Sequence, residues 1–267
     1  MPRRGFAIAN IPAKQRANNK RPSSGPYEAR SLPGVWQIQR VPSSTSAGMS
    51  SFPLERAVSA CQSASMSAPE QIARIRISLD HMEPEIWRVV DVPVAMHLQG
   101  LHDVIQAAMG WQNSHLFEFR IGEQHYGIPE GPWDREVRQA KSVKLSAVLA
   151  KGIKRFAYVY DFGDDWVHTL AIESVADGDP ALKYPRFVAG ARRCPPEDVG
   201  GPPGFFEFLQ AMADPKHPEH RNLTEWHGGP FDADTFDELT TKLRIGALAK
   251  RRHAGKLGYE KSQALKR

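Results

Sequence analysis

The chain has 267 residues, a formal net charge of +5 and a mean hydropathy of −0.46. That is enough for one large domain or two small ones, with no apolar run near the ~18–20 residues of a membrane span. Its two cysteines, Cys61 and Cys194, have no zinc-finger spacing and make no disulfide framework, which fits a reducing cytoplasm and excludes a structural zinc finger.

The charge is unevenly placed. Residues 1–69 carry +7, residues 242–267 carry +8, and the stretch between them carries −10. An acidic middle repels a phosphate backbone, so nonspecific nucleic-acid contact is expected only from the two basic ends. Residues 1–69 hold 8 prolines and 12 serines without sustained periodicity, a composition that cannot offset chain entropy by burial. They are expected to form a disordered basic tail, with a transit peptide or an over-extended start as the other readings. Met66 stands just ahead of the first clear strand pattern and would serve as a start. The expected organisation is therefore a tail over 1–69, one α+β domain over 70–249 and a frayed basic tail over 250–267.

From residue 71 the periodicity is legible. Ala73, Ile75, Ile77 and Leu79 alternate with Arg74, Arg76 and Ser78, the pattern of a half-buried strand. After Glu83-Pro84, residues 86–90 read as its hairpin partner, ended by Pro93. Residues 97–109 read as a helix, with Leu98, Leu101, Val104, Ile105 and Ala108 on one face and Gly110 as its stop. His97 and His102 fall off that stripe and are expected in solvent. Residues 115–121 read as a strand with His115, Phe117, Phe119 and Ile121 on one face. Residues 128–142 read as loop and 145–149 as a short helix.

The densest cluster of aromatic, acidic and imidazole side chains is 160–168, Tyr-Asp-Phe-Gly-Asp-Asp-Trp-Val-His. It lies between two apolar runs, so a hairpin over 155–175 is expected, its turn centred on Gly163-Asp164. That register pairs Asp161 with Trp166 and Val159 with His168. It puts Asp161 and His168 on one buried face as diagonal neighbours, roughly 7–8 Å apart. Such a pair either satisfies itself beneath Trp166 or serves as a metal ligand or acid–base pair in a cleft.

Beyond a short strand near 184–188, residues 194–204 contain four prolines and three glycines, a loop of fixed shape that suits a site. Glu197 and Asp198 are its charged members; they could equally cap the helix expected over 204–214. Residues 215–230 read as polar loop. Asp232 or Asp234 is expected to cap a last helix with Phe236, Leu239 and Leu243 inward. The fold expected from these elements is α+β, a mostly antiparallel sheet of about five strands with helices packed against it. The candidate pocket gathers His115, Tyr160, Asp161, Asp164, Trp166, His168, Glu197 and Asp198, with His115, Asp161 and His168 as candidate ligands for a divalent metal.

Five ordered motifs carry a resemblance: residues 84–88, 101–116, 158–168, 194–201 and Phe231-Asp232. Together they make the stretch from about 70 to 247 resemble the family named after the third open reading frame of a bacterial root-inducing (Ri) plasmid. The resemblance implies an α+β fold and a bacterial cytoplasmic setting, and no particular reaction. The resolvase label attached to some members would require a serine recombinase motif, which this chain lacks.

Three functions fit these observations. The first is a module binding a small ligand, peptide or protein between the hairpin and the proline loop. The second is a metal-dependent hydrolase or nuclease using Glu197 or Asp198 as base. The third is a DNA-associated accessory factor of mobile elements acting through its basic ends. A chain started at Met66 is expected to keep its melting temperature; a fall of more than about 4 °C, roughly 1 kcal/mol for a small domain, would show that the removed segment packs on the domain.

Overall fold

Strict alternation builds the centre of the molecule. In strand β1 (Gln71–Leu79) the apolar set Ala73, Ile75, Ile77 and Leu79 is buried. Strand β2 (Ile86–Pro93) pairs with it antiparallel and turns Ile86, Arg88, Val90 and Val92 to the same face. The computed structural model describes residues 69–129, 131 and 136–265; all but the last residue of the tail expected over 1–69 lies outside the described residues.

Six further strands complete the sheet: β3 (Phe117–Ile121), β4 (Gln124–Gly127), β5 (Val137–Gln139), β6 (Arg155–Tyr160), β7 (Trp166–Asp177) and β8 (Arg186–Ala191). Their order is β5-β4-β3-β6-β7-β1-β2-β8, antiparallel throughout except for the parallel β4/β5 pair. The protein is thus α+β, with an eight-stranded mixed sheet among the described residues rather than about five strands. The additional strands β4 and β5 are four and three residues long. Strands this short are too brief to show a period of two and are recognised only by the neighbour they pair with.

The apolar face of the sheet meets helix α1 (Leu98–Met109), with α2 (Leu145–Leu149), α3 (Gly201–Ala213) and α5 (Glu238–Ala264) contributing to the same core. Helix α1 is capped by Gly110 in the left-handed conformation, as expected. A short helix, α4 (His220–His227), occupies part of the expected polar loop and buries no residue. Helix α5 is capped by Asp237, which accepts from the Thr240 N–H, and not by Asp232 or Asp234. Its inward stripe is Thr241, Ile245 and Ala249. Leu239 and Leu243 sit two positions earlier, about 200° round the helix, and are exposed. The expected frayed segment after Lys250 continues α5 as an exposed helix to Ala264.

The hairpin differs from its expected register by one residue. Tyr160 pairs with Trp166, Val159 with Val167, and Tyr158 with His168. Since side chains alternate, this slip exchanges the two faces of β6: Phe156, Tyr158 and Tyr160 face the core with Trp166, His168 and Leu170, while Asp161 falls in the loop. The reason is local. Asp161 and Asp165 adopt left-handed backbones, φ 59° and 51°, and the Asp165 N–H bonds the Asp161 carbonyl at 2.6 Å. The turn therefore spans 161–165 and needs no positive φ at Gly163; aspartate tolerates that conformation better than most residues.

Two histidines are wholly buried. His168 bonds the Trp166 carbonyl through Nδ1 at 3.0 Å. His102 was expected in solvent. Instead it stacks on Phe117, 3.6 Å between ring centroids, and bonds Tyr158 Oη and Asn113 Oδ1. Gln106 donates to the same Tyr158 oxygen and accepts the Asn113 N–H. This polar network widens the buried face of α1 beyond its apolar stripe. Burial pushes both imidazoles from 6.5 down to about 4, so both are neutral in the fold. The unfolded chain takes up these protons as pH falls below about 6.5 while the fold resists until about 4. Each imidazole thus contributes stability above pH 6.5 that is lost between 6.5 and 4, up to roughly 3 kcal/mol apiece. His168→Phe is expected to shallow the fall of denaturation free energy across that window relative to the native protein, whatever its stability at pH 7. An unaltered slope would mean that His168 is not a source of the acid sensitivity.

Candidate functional site

The loop that closes the site is anchored by a cation at an inward strand position. Arg88 is 1 % exposed and uses all five donors of its guanidinium fork. Nε donates to the Ala108 carbonyl, Nη1 to those of Trp87 and Ala191, and Nη2 to the Arg192 carbonyl and Cys194 Sγ. Phe236 lies against it, 4.0 Å from Cζ to ring centroid. One side chain thereby joins β2, the last turn of α1 and the start of the proline loop. Trp111 adds a second tie, its indole N–H donating to the Pro195 carbonyl at 2.9 Å. Arg88 belongs to the sequence motif 84–88, and an arginine at an inward position between Ile86 and Val90 is the sequence signal that marks it.

Tyr160 makes the third tie. Its side chain is buried, with the ring stacked on Trp111, 5.1 Å between centroids. The hydroxyl donates to Glu197 Oε1 at 2.6 Å and accepts the backbone N–H groups of Ser114 and His115 at 2.9 and 3.3 Å. Glu197 Oε1 also accepts the Gln112 N–H. Burial raises the phenol's pKa first, and the bond to the Glu197 carboxylate raises it further, so it stays protonated and able to donate. The Gly-Gly pair within the loop is sterically required at Gly201, where φ is +66° and a Cβ would stand 2.4 Å from the Asp164 carbonyl oxygen. Asp164 Oδ2 in turn accepts the Gly200 N–H. The hairpin turn and the start of α3 are thus in direct contact.

These ties bring three expected residues together. His115 Nε2 lies 3.0 Å from Asp198 Oδ1 and 3.5 Å from Asp161 Oδ2, and the three ligand atoms all fall within 4.8 Å of one another. Strand β3 begins at Phe117, two residues later than expected, so sheet alternation does not orient His115; Tyr160 holds its backbone instead. His168 is not part of this group. Its Nε2 is buried without a hydrogen-bond partner, facing Trp111 and Tyr158, and among the described residues no acid lies within 4 Å of it. The physical cause is the register: Tyr158, not Asp161, is its neighbour in the sheet. Trp166 is likewise a core residue, 1 % exposed. Of the eight candidates, His115, Asp161 and Asp198 converge, Tyr160 and Glu197 support them, Asp164 braces the loop, and Trp166 and His168 fill the core below.

Beside the group opens a cleft of about 910 Å³, running from Ser114 and the 193–198 loop to the start of α5. Trp111, Pro195, Pro196, Trp226, Phe231 and Phe236 are among the residues that line it. Arg193 and Arg244 line it, the former with Cζ 4.5 Å from the Phe231 ring centroid. Neither arginine stands out in the sequence, because each is one of many basic residues near the C-terminal third. His168 does not line the cleft.

The family model described as plasmid pRiA4b ORF-3-like protein matches residues 71–240. The chain belongs to this family. The pRiA4b ORF-3-like match covers β1 through the first turn of α5 and so includes all eight candidate residues and Arg193, while Arg244 lies just beyond it. A relative from Sinorhizobium fredii, uncharacterized protein y4hQ, is 46 % identical over 160 residues, 59 % of this chain and 81 % of that protein. The crystal structure of a protein of unknown function, MM3350 from Methanosarcina mazei, is similar with a TM-score of 0.59 at 33 % identity, covering 63 % of this chain and 96 % of that one. No helix among the described residues is long and apolar enough to cross a membrane.

Tyr160→Phe is expected to cost about 2–3 kcal/mol, because it strips two backbone donors and a buried-side carboxylate of their partner. It should also speed hydrogen exchange at the Ser114 and His115 amides. Unchanged exchange at both amides would show that the hydroxyl does not hold this segment.

Proposed function

We propose that this protein is a ligand-binding module whose cleft takes a small molecule or peptide end that joins an anionic group to a flat apolar portion. The reading rests on one observation above the others, the cleft of about 910 Å³, a size within the range of ligand sites. Its walls are held by bonds made within the fold. Arg88, Trp111 and Tyr160 tie the proline loop to three separate elements, so little ordering entropy remains to be lost when a ligand enters. Arg193 and Arg244 offer cationic groups to an anion, within a lining that also holds Glu197, Asp198 and Asp237, and the aromatic side chains supply the flat surface.

A binding role fits this site better than hydrolysis with Glu197 as base. Glu197 Oε1 already accepts from the Tyr160 hydroxyl and the Gln112 amide, which makes it a structural acceptor. Phenyl phosphate and benzoate carry both proposed features and serve as probes. Titration followed by amide NMR shifts is expected to perturb residues 193–198 and 236–244, and Arg244→Ala should weaken the interaction by about tenfold or more. Shifts confined to other surfaces, or affinity indifferent to Arg244, would rule the assignment out.

A further inference from the structure

We propose that His115, Asp161 and Asp198 form a binding site for a single divalent cation, of the Zn²⁺ or Mn²⁺ type. The site stands at the rim of the cleft and needs no ligand within it, so the two proposals fail independently.

The first argument is an unsatisfied nitrogen. His115 Nε2 is shielded from solvent and makes no well-formed hydrogen bond, although carboxylate oxygens lie 3.0 and 3.5 Å away. A buried polar atom without a partner is costly. Neither of the nearby carboxylate oxygens completes a hydrogen bond to it. A cation placed between the three atoms satisfies all of them at once. The second argument is spacing. Ligands about 2.0–2.2 Å from Zn²⁺ in tetrahedral geometry stand about 3.3 Å apart; the two separations from Nε2 bracket that value, and all three atoms lie within 4.8 Å of one another.

The third argument concerns the other ends of these side chains. Asp161 Oδ1 accepts the Gly163 and Asp164 N–H groups at 2.9 and 3.4 Å. The carboxylate is therefore oriented, with Oδ2 left for the cluster, as outer partners orient metal ligands. The His115 backbone is fixed by the Tyr160 hydroxyl, and its ring lies edge-on to that phenol, 5.8 Å between centroids. Asp161 is buried while the Asp198 side chain is 69 % exposed, so the group has a closed floor and an open mouth through which an ion can enter. One imidazole and two carboxylates are three protein ligands, which leaves a coordination position for water.

The test uses the full chain, treated with chelator and titrated calorimetrically with Zn²⁺ and with Mn²⁺. One site per chain is expected for at least one of them. His115→Ala and Asp198→Ala should each lower its affinity by about tenfold or more. Asp198 is mostly exposed and, among the described residues, its ion pair is with His115, so its substitution remains decisive should His115→Ala fold poorly. Asp161→Asn keeps the turn's acceptor and should weaken binding as well. A His217→Ala, His220→Ala double variant controls for other histidines and should bind as the native protein does. Absence of a one-to-one site for both ions would overturn the proposal. So would binding unaffected by Asp198→Ala, or binding lost only in the histidine control.

Discussion

Three otherwise separate pieces of the molecule meet at one hydroxyl. Tyr160 sits at the end of β6, and its oxygen holds the segment 114–115 by two amides and Glu197 by one charge-assisted bond. The hydroxyl is saturated: its proton goes to the carboxylate and its lone pairs receive the two N–H groups. His115 precedes the sheet and Asp198 lies in an irregular loop, so neither gains its position from regular hydrogen bonding. Both gain it from Tyr160, one through its own backbone and the other through the residue beside it.

Arg88 plays the matching role beneath the loop. A buried guanidinium without a carboxylate is unusual, since desolvation penalises the charge. Here that penalty lowers the side chain's pKa, and it is offset by four carbonyls, a thiol and the face of Phe236. The carbonyls include one from the last turn of α1, where the helix dipole presents partial negative charge. The consequence for the site is rigidity. Residues 192–195 carry little regular secondary structure, yet Arg88 and Trp111 bond three of their backbone or side-chain acceptors.

The hairpin illustrates how far local pattern reaches. Its two strands and its position were legible from the apolar runs either side of 160–168. The face was not, because a two-residue turn and a five-residue turn differ by one step of register, and one step exchanges every side chain between core and outside. What decided it was the ability of Asp161 and Asp165 to take left-handed backbones, which moved Asp161 out of the strand. The same shift placed Tyr158 opposite His168 and made that histidine a core residue. His102 is buried for a related reason. Its partner Tyr158 comes from a distant strand, so a position off the apolar stripe of α1 looks in sequence like that of a solvent residue.

The sequence by itself determined the class of the fold, the central strands, α1 with its glycine cap and the segments that bear the candidate site. These follow from periodicities of two and 3.6 and from backbone preferences of glycine and proline, which act over a few residues. Only the tertiary structure decided that His115, Asp161 and Asp198 face one another while His168 does not, and that Arg193 and Arg244 line a cleft beside them. Convergence of that kind depends on contacts between residues separated by tens of positions: Tyr160 with Glu197, Arg88 with Cys194, Trp111 with Pro195. Each is set by the geometry of the whole sheet and its helices, and no local spacing encodes it.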